Sequence, residues 1–248
     1  MLLGQCVRRC LVGRAGMTNG ARLIDGIVEL RNRNSVTPLE LENQMTAVFN
    51  AIKSRVSANN FDATHVMTEA EISELIELAG EAPTSFNQQN WRAIAVTSAE
   101  GKAKLMGLAY GQAKVAAAAV TFIMVGNPTG YQELPRLFKS TVDAGYMEQA
   151  ALDGMVGMAN GMYGSNTVLQ RDEAVRSASF AGMTLMLAAE EKGLATGPMI
   201  GFDPAGVAAA FGLKDGEIAA LIITCGKAAP GNWPRKARRP ISETLSFA

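Results

Sequence analysis

Histidine is almost absent from this chain: His65 is the single one among 248 residues. One imidazole cannot build a multi-histidine metal centre, and it leaves little room for a Ser-His or Cys-His nucleophilic pair. Cysteine is scarce as well. Cys6, Cys10 and Cys225 form no C-x-x-C pair, and their odd number argues against a disulfide framework. Net charge is lacking, with 23 acids against 23 bases, which removes the general electrostatic reason to bind nucleic acid or an anionic membrane. The longest apolar run, Val115 to Val125, is roughly half of what a bilayer span requires. Neither G-x-G-x-x-G after a strand nor G-x-x-x-x-G-K-S/T occurs, so both phosphate-loop nucleotide signatures are excluded. An enzyme of this composition takes its chemistry from a bound cofactor, with no metal site and no catalytic side chain expected.

What is present is an apolar fraction of 48%, with 25 Gly, 13 Met and only nine Phe, four Tyr and two Trp. That mixture suggests a helix-rich interior lined by small side chains, in one domain over 37–248. Residues 1–36 differ from the rest. Arg8, Arg9, Arg14 and Arg22 precede the first acid, Asp25. A targeting presequence has that signature, but the apolar pieces are short. The expectation is a flexible extension, or an upstream start with Met17 or Met45 as alternatives.

Thr37-Pro38-Leu39-Glu40 opens a helix striped by Leu41, Met45, Val48 and Ile52. Its exit, Lys53 to Asp62, combines cations, a hydroxyl and amides, a set suited to a phosphate but also to an ordinary helix end. His65 follows in a short linker and is expected to be solvated. Thr68-Glu69-Ala70-Glu71 reads as a capping box for a helix stopping before Pro83. Ala82 to Arg92 then packs hydroxyls, carboxamides and Trp91 together without one carboxylate. Such a loop suits a planar polar ligand, although by composition alone a polar turn with Trp91 as a core anchor is the commoner reading. A strand over 93–97, a helix from Ser98 towards Lys114 and a buried strand over 119–125 come next. Residues 127–169 read as helical pieces broken by glycine, a variable lid over a substrate or a plain excursion. Gln170 to Lys192 is a helix with a small-residue face, capped by a left-handed Gly193. Leu194 to Pro204 reads as a loop whose Asp203 caps the next helix. Glu217 to Cys225 is a buried strand with an inert thiol, and 227–248 forms an extended basic C-terminal arm.

In their order and spacing, four segments resemble the FMN-dependent nitroreductase family, in particular NAD(P)H nitroreductases of the quinone- and hydroquinone-responsive bacterial type. They are Arg55-Val56-Ser57, Ala82 to Trp91, Pro198-Met199-Ile200-Gly201-Phe202-Asp203, and Lys236-Ala237-Arg238-Arg239-Pro240. The resemblance runs from about Met45 to Phe247. It implies an α+β sandwich with a central mixed, mostly antiparallel sheet flanked by helices. It also implies an intertwined, cytoplasmic homodimer with two FMN sites at the interface. By the same resemblance Arg55, Ser57, Lys236 and Arg238 hold the phosphate, while Pro83, Thr84, Ser85 and Asn87 follow the ribityl chain and ring, typically of the partner's flavin. Gln112 and Lys114 lie near the pyrimidine edge, and the backbone of Pro198, Ile200 and Gly201 faces flavin N5. Val56 and Asn59 stand where the family commonly has basic or polar side chains, and Ile200 where some members carry an acid.

The implied activity is ping-pong hydride transfer from NAD(P)H through flavin N5 to a small electrophile such as a quinone, nitroaromatic or enone. The alternatives are a flavin-binding protein used for sensing or storage, and a flavin-fragmenting or dehalogenating relative distinguished by residues 127–169. A nucleic-acid contact through the basic arm is disfavoured by the neutral balance.

Overall fold

A computed structural model describes residues 47–248. The expected N-terminal extension, the cap at Thr37-Pro38, Cys6 and Cys10 lie outside the described residues. Residues 47–54 are helical and form α1. Helix α2 (Glu69–Gly80) begins at the expected capping box. The Thr68 hydroxyl accepts from the Glu71 amide at 3.2 Å, and the Glu71 carboxylate accepts from the Thr68 amide at 2.7 Å. Strand β1 (Trp91–Val96) starts inside the polar loop, and Trp91 packs half-buried against the core as its anchor. Between Ser98 and Lys114 the chain forms two helices rather than one, α3 (Ala99–Leu108) and α4 (Lys114–Ala117). Tyr110 at φ 55° and Gly111 at φ 73° take left-handed backbone and separate them.

Strand β2 (Val120–Gly126) is buried throughout its length, as a central strand covered on both faces must be. The excursion that follows contains α5 (Leu134–Leu137), α6 (Lys139–Asp143) and α7 (Gln149–Tyr163). Glycine does not break α7, which runs through Gly154, Gly157 and Gly161. Helix α8 (Thr167–Glu191) lays Ala174, Ala178, Ala181, Leu185 and Ala189 against the sheet. Its small side chains bring backbone onto backbone, so a Cβ on Gly126 would sit 2.5 Å from the Ala174 carbonyl oxygen. Gly193, at φ 67°, ends the helix as expected.

The loop expected over 194–204 contains a strand, β3 (Ala195–Met199). Gly197 and Pro198 hide it from a reading based on propensity. The fold places it at the sheet edge, where a residue without an N–H is tolerated. Helix α9 (Pro204–Ala210) is capped by Asp203, and strand β4 (Ile218–Gly226) completes the sheet.

Strand order is β1-β2-β4-β3, and every ladder is antiparallel. The parallel component expected of a mixed sheet is reduced to an isolated bridge, Ser57–Thr196. Period-two alternation divides the interior. Phe122, Met124, Ile223 and Cys225 face α2 and α8, whereas Ile123, Val125 and Ile222 face α3 and α9. A smaller cluster of Tyr131, Leu134, Ala159 and Tyr163 holds the excursion together, with Phe86 packed against it. Among the described residues no helix is long and apolar enough to cross a membrane.

Candidate active site

The chain leaving α1 and the C-terminal arm, nearly 180 residues apart, are sewn together by amides. Asn232 Oδ1 accepts from the backbone of Asn59 at 2.7 Å and of Asn60 at 2.9 Å, while its Nδ2 donates to the Asn60 carbonyl at 2.8 Å. The Arg235 guanidinium then donates to the carbonyls of Ile52 at 2.6 Å, Lys53 at 2.9 Å and Arg55 at 2.9 Å. These lie at the end of α1, where carbonyls lack intrahelical partners and a cation is favourable.

With those contacts made, Arg55, Val56 and Ser57 face Trp233, Pro234, Arg235, Lys236 and Arg238 around a pocket of about 170 Å³. One Arg55 nitrogen, Nη1, is buried there without a hydrogen-bond partner. Burial first, then the like charge of Arg235 and more weakly that of Arg238, pulls the Arg55 guanidinium below its usual value, with Glu190 opposing. Lys114 donates to Asn59 Oδ1 at 3.3 Å, and burial followed by the charge of Lys236 lowers its ammonium too. This places Lys114 beside the cationic pocket. An anion here would relieve the repulsion and satisfy the orphaned donor. Val56 contributes lining but no side-chain donor.

The second group of expected residues forms a tight loop. Phe86 at φ 53°, Asn87 at φ 53° and Gln89 at φ 48° are three non-glycine residues in the left-handed region within four positions. Such backbone costs energy and persists where its surroundings over-determine it. Thr84 supplies part of that constraint. Its carbonyl accepts from the Asn87 amide and its hydroxyl from the Gln89 amide, both at 3.0 Å. Ser85 is held from two helices: its amide donates to Glu173 Oε1 at 3.3 Å, and its hydroxyl accepts from Tyr163 Oη at 2.8 Å. Pro83 and Asn87 are exposed.

The third group adjoins β3. Gln112 Nε2 donates to the carbonyls of Gly201 at 2.8 Å and Ala109 at 3.1 Å. Its amide therefore stitches the α3–α4 turn to the turn after β3. Ile200 is 81% exposed, and Phe202 donates back to its carbonyl at 3.1 Å. Pro198 lies within β3 opposite Ile223. Neither 83–87 nor 198–201 lines the cationic pocket, but the Ser57–Thr196 bridge sets β3, and with it the turn after it, beside the first group, so the chain leaves only 83–87 apart from the rest.

Residues 52–227 match the family model described as the nitroreductase family. The chain belongs to that family. It is 32% identical over 198 residues to MhqN of Bacillus subtilis strain 168, named by inference as an NAD(P)H nitroreductase, covering 79% of this chain and 96% of that protein. A crystal structure of the inferred nitroreductase ydfN from Bacillus subtilis superposes with a TM-score of 0.79 at 30% identity, over 82% of this chain and all of that one. An inferred nitroreductase of Exiguobacterium sibiricum, solved in complex with FMN, superposes with a TM-score of 0.75 at 28% identity, over 81% and 97%. This nitroreductase thus has the family's α+β fold and is an oxidoreductase of that family.

Five features of this nitroreductase left no mark in its sequence. Asn232 and Arg235 looked like parts of a solvated tail, and Trp233 lay just outside the basic segment. Only pairing of the arm with the exit of α1 reveals their contacts. The Tyr163–Ser85 and Glu173–Ser85 contacts span about 80 residues and left no local pattern to find.

Proposed function

We propose that this nitroreductase is an FMN-dependent enzyme that takes hydride from NAD(P)H and passes it to quinones, nitroaromatics or related electrophiles. The observation that carries the reading is the cationic pocket with its orphaned Arg55 nitrogen. Arg55, Lys236 and Arg238 as cations, with the Ser57 hydroxyl, form a donor set suited to a phosphate monoester dianion. A pocket of about 170 Å³ is small beside the ~300–1,000 Å³ of sites that take whole cofactors. It fits the phosphate end, which leaves the ring to the loop 83–87 and the turn 198–201.

The loop 83–87 would complete the site from a second copy, in a homodimer, while the turn 198–201, set next to Ser57 by the Ser57–Thr196 bridge, would face the ring from the same chain. Supporting that arrangement, Phe180 and Met183 on α8 are 47% and 39% exposed, and Val48, Phe49 and Ile52 on α1 are 48% or more exposed.

Bound FMN supplies acceptance and donation of hydride at N5; the chain supplies binding, orientation and polarity. Arg55, Ser57, Lys236 and Arg238 would fix the phosphate, with Lys114 adding positive charge alongside. Ser85 and Asn87 would set the ring, and the exposed Ile200 would give an apolar floor to the place shared in turn by reductant and oxidant.

The test is an absorbance spectrum of the purified protein, followed by anaerobic NAD(P)H titration and initial rates with a quinone and a nitroarene. Flavin absorbance bleached by NAD(P)H, and parallel initial-rate lines, are expected. Ser85→Trp and Asn87→Ala should lose FMN while keeping the far-UV spectrum of the wild type. A yellow protein that NAD(P)H fails to bleach would leave only flavin storage or sensing, and intersecting lines would rule out the shared site.

A further inference from the structure

Behind the loop at 83–90 lies a polar cluster with no place in the hydride chemistry. Glu173, on α8, is only 5% exposed, a carboxylate carried into the interior at considerable desolvation cost. Three donors offset that cost. Ser85 N–H donates to Oε1 at 3.3 Å, the wholly buried Ser177 hydroxyl donates to the same oxygen at 3.1 Å, and Arg176 pairs with Oε2.

Tyr163, the last residue of α7, reaches the same serine from the other side. Its hydroxyl donates to Ser85 Oγ at 2.8 Å. Its ring stacks on Tyr131 with centroids 5.6 Å apart and meets Phe86 edge-on at 6.4 Å. The amide and the hydroxyl oxygen of Ser85 are thus held by packed helices, immediately before the left-handed residues Phe86 and Asn87. Backbone of that kind relaxes unless its neighbours over-determine it.

We propose that Glu173 and Tyr163 are positioning residues that clamp Ser85 and Phe86, so that the loop keeps its left-handed form and presents Asn87 to the cofactor. The proposal rests on the reading of this loop as flavin-facing. It adds a consequence for the excursion over 127–169: through Tyr163, the seating of α7 sets the shape of the cofactor loop. Ligands lodging against the excursion would therefore alter flavin affinity as well as their own.

The experiment compares full-length wild type with Tyr163→Phe, Glu173→Ala and Glu173→Gln. For each, FMN affinity is measured by quenching of flavin fluorescence on the apoprotein. Melting temperature and the rate of limited proteolysis within 84–90 are read on the same apoprotein. Tyr163→Phe keeps the ring packing and removes only the hydroxyl. It should weaken FMN binding about tenfold, as loss of one well-placed hydrogen bond does, and speed cleavage of the loop with little change in melting temperature. Glu173→Ala should weaken binding further. Glu173→Gln retains an oxygen for Ser85 and Ser177 and should restore most of the loss.

Unchanged FMN affinity and cleavage in both Tyr163→Phe and Glu173→Ala would overturn the proposal. So would losses that track the melting temperature with no rescue by glutamine, since that pattern belongs to general packing. Should Glu173→Ala fail to fold, Tyr163→Phe decides alone. A wild type that binds no FMN would instead remove the flavin reading, and the proteolysis would still report whether the loop is clamped.

Discussion

Arg235 and Lys236 both line the pocket, but the Arg235 guanidinium places its donors on the carbonyls of Ile52, Lys53 and Arg55, whereas the Lys236 ammonium makes no such backbone contact among the described residues. Composition cannot separate two such neighbours, because the difference lies in what each side chain meets. Their substitutions should separate cleanly. Arg235→Ala should lower stability by about 1 kcal/mol, the order of a helix C-terminal cation, and drop the melting temperature by about 2–4 °C. Lys236→Ala should leave the melting temperature of the apoprotein unchanged and weaken FMN about tenfold, the order of a lost charge-assisted contact. Thermal melts and flavin titrations of the two variants test the division, and an exchange of the two phenotypes would refute it. Cys225 was legible from sequence alone. It lies in a buried strand, and burial pushes its thiol up to about 12, so it stays a neutral, inert side chain.

Elements were legible where local chemistry and tertiary demand coincide. The capping box at Thr68, the Asp203 cap and the Gly193 terminus all rest on contacts within a few residues, and all are present. Strand β3 was not legible, because Gly197 is required by tertiary crowding rather than by strand propensity. A Cβ there would lie 2.5 Å from the Ala58 carbonyl oxygen. A long-range ion pair also joins elements. On β1, Arg92 holds Glu217, just before β4, through two bonds of 2.8 and 2.7 Å. The hydrogen bonds from Arg92 lead the causes that hold the Glu217 carboxyl below its ordinary 4.5, followed by that from the Lys214 amide against an opposing burial. A carboxyl depressed in the folded state stabilises above its unfolded value, and that contribution fades as pH falls through the folded one. Melting temperatures measured from pH 7 down through pH 4 should therefore fall for the wild type below about 4.5. Glu217→Gln should start lower at pH 7 and lose less on acidification. Parallel curves would show that the pair contributes nothing.

For the whole molecule, the decisive question is how a pocket sized for a phosphate becomes a site for a cofactor. The loop at 83–87 does not line the phosphate pocket of its own chain, and α8 exposes Phe180 and Met183 on the side away from the sheet. The homodimer proposed above would answer both observations. Sedimentation should give twice 26.2 kDa for the wild type. Phe180→Glu combined with Met183→Glu should shift it to monomer and release FMN together. A monomeric variant that kept its flavin would place the entire site within one chain.

By itself the sequence determined the class of protein. Its near-absence of histidine, balanced charge and four polar segments in order are local or compositional facts, and they were enough to point to a cofactor enzyme of this family. The tertiary structure decided which of those residues meet. It joined the arm to α1 through Asn232 and Arg235, turned Gln112 inward onto Gly201, and set Glu173 and Tyr163 behind Ser85. Each of these contacts links residues brought together only by packing, and periodicity along a chain carries no information about partners so distant.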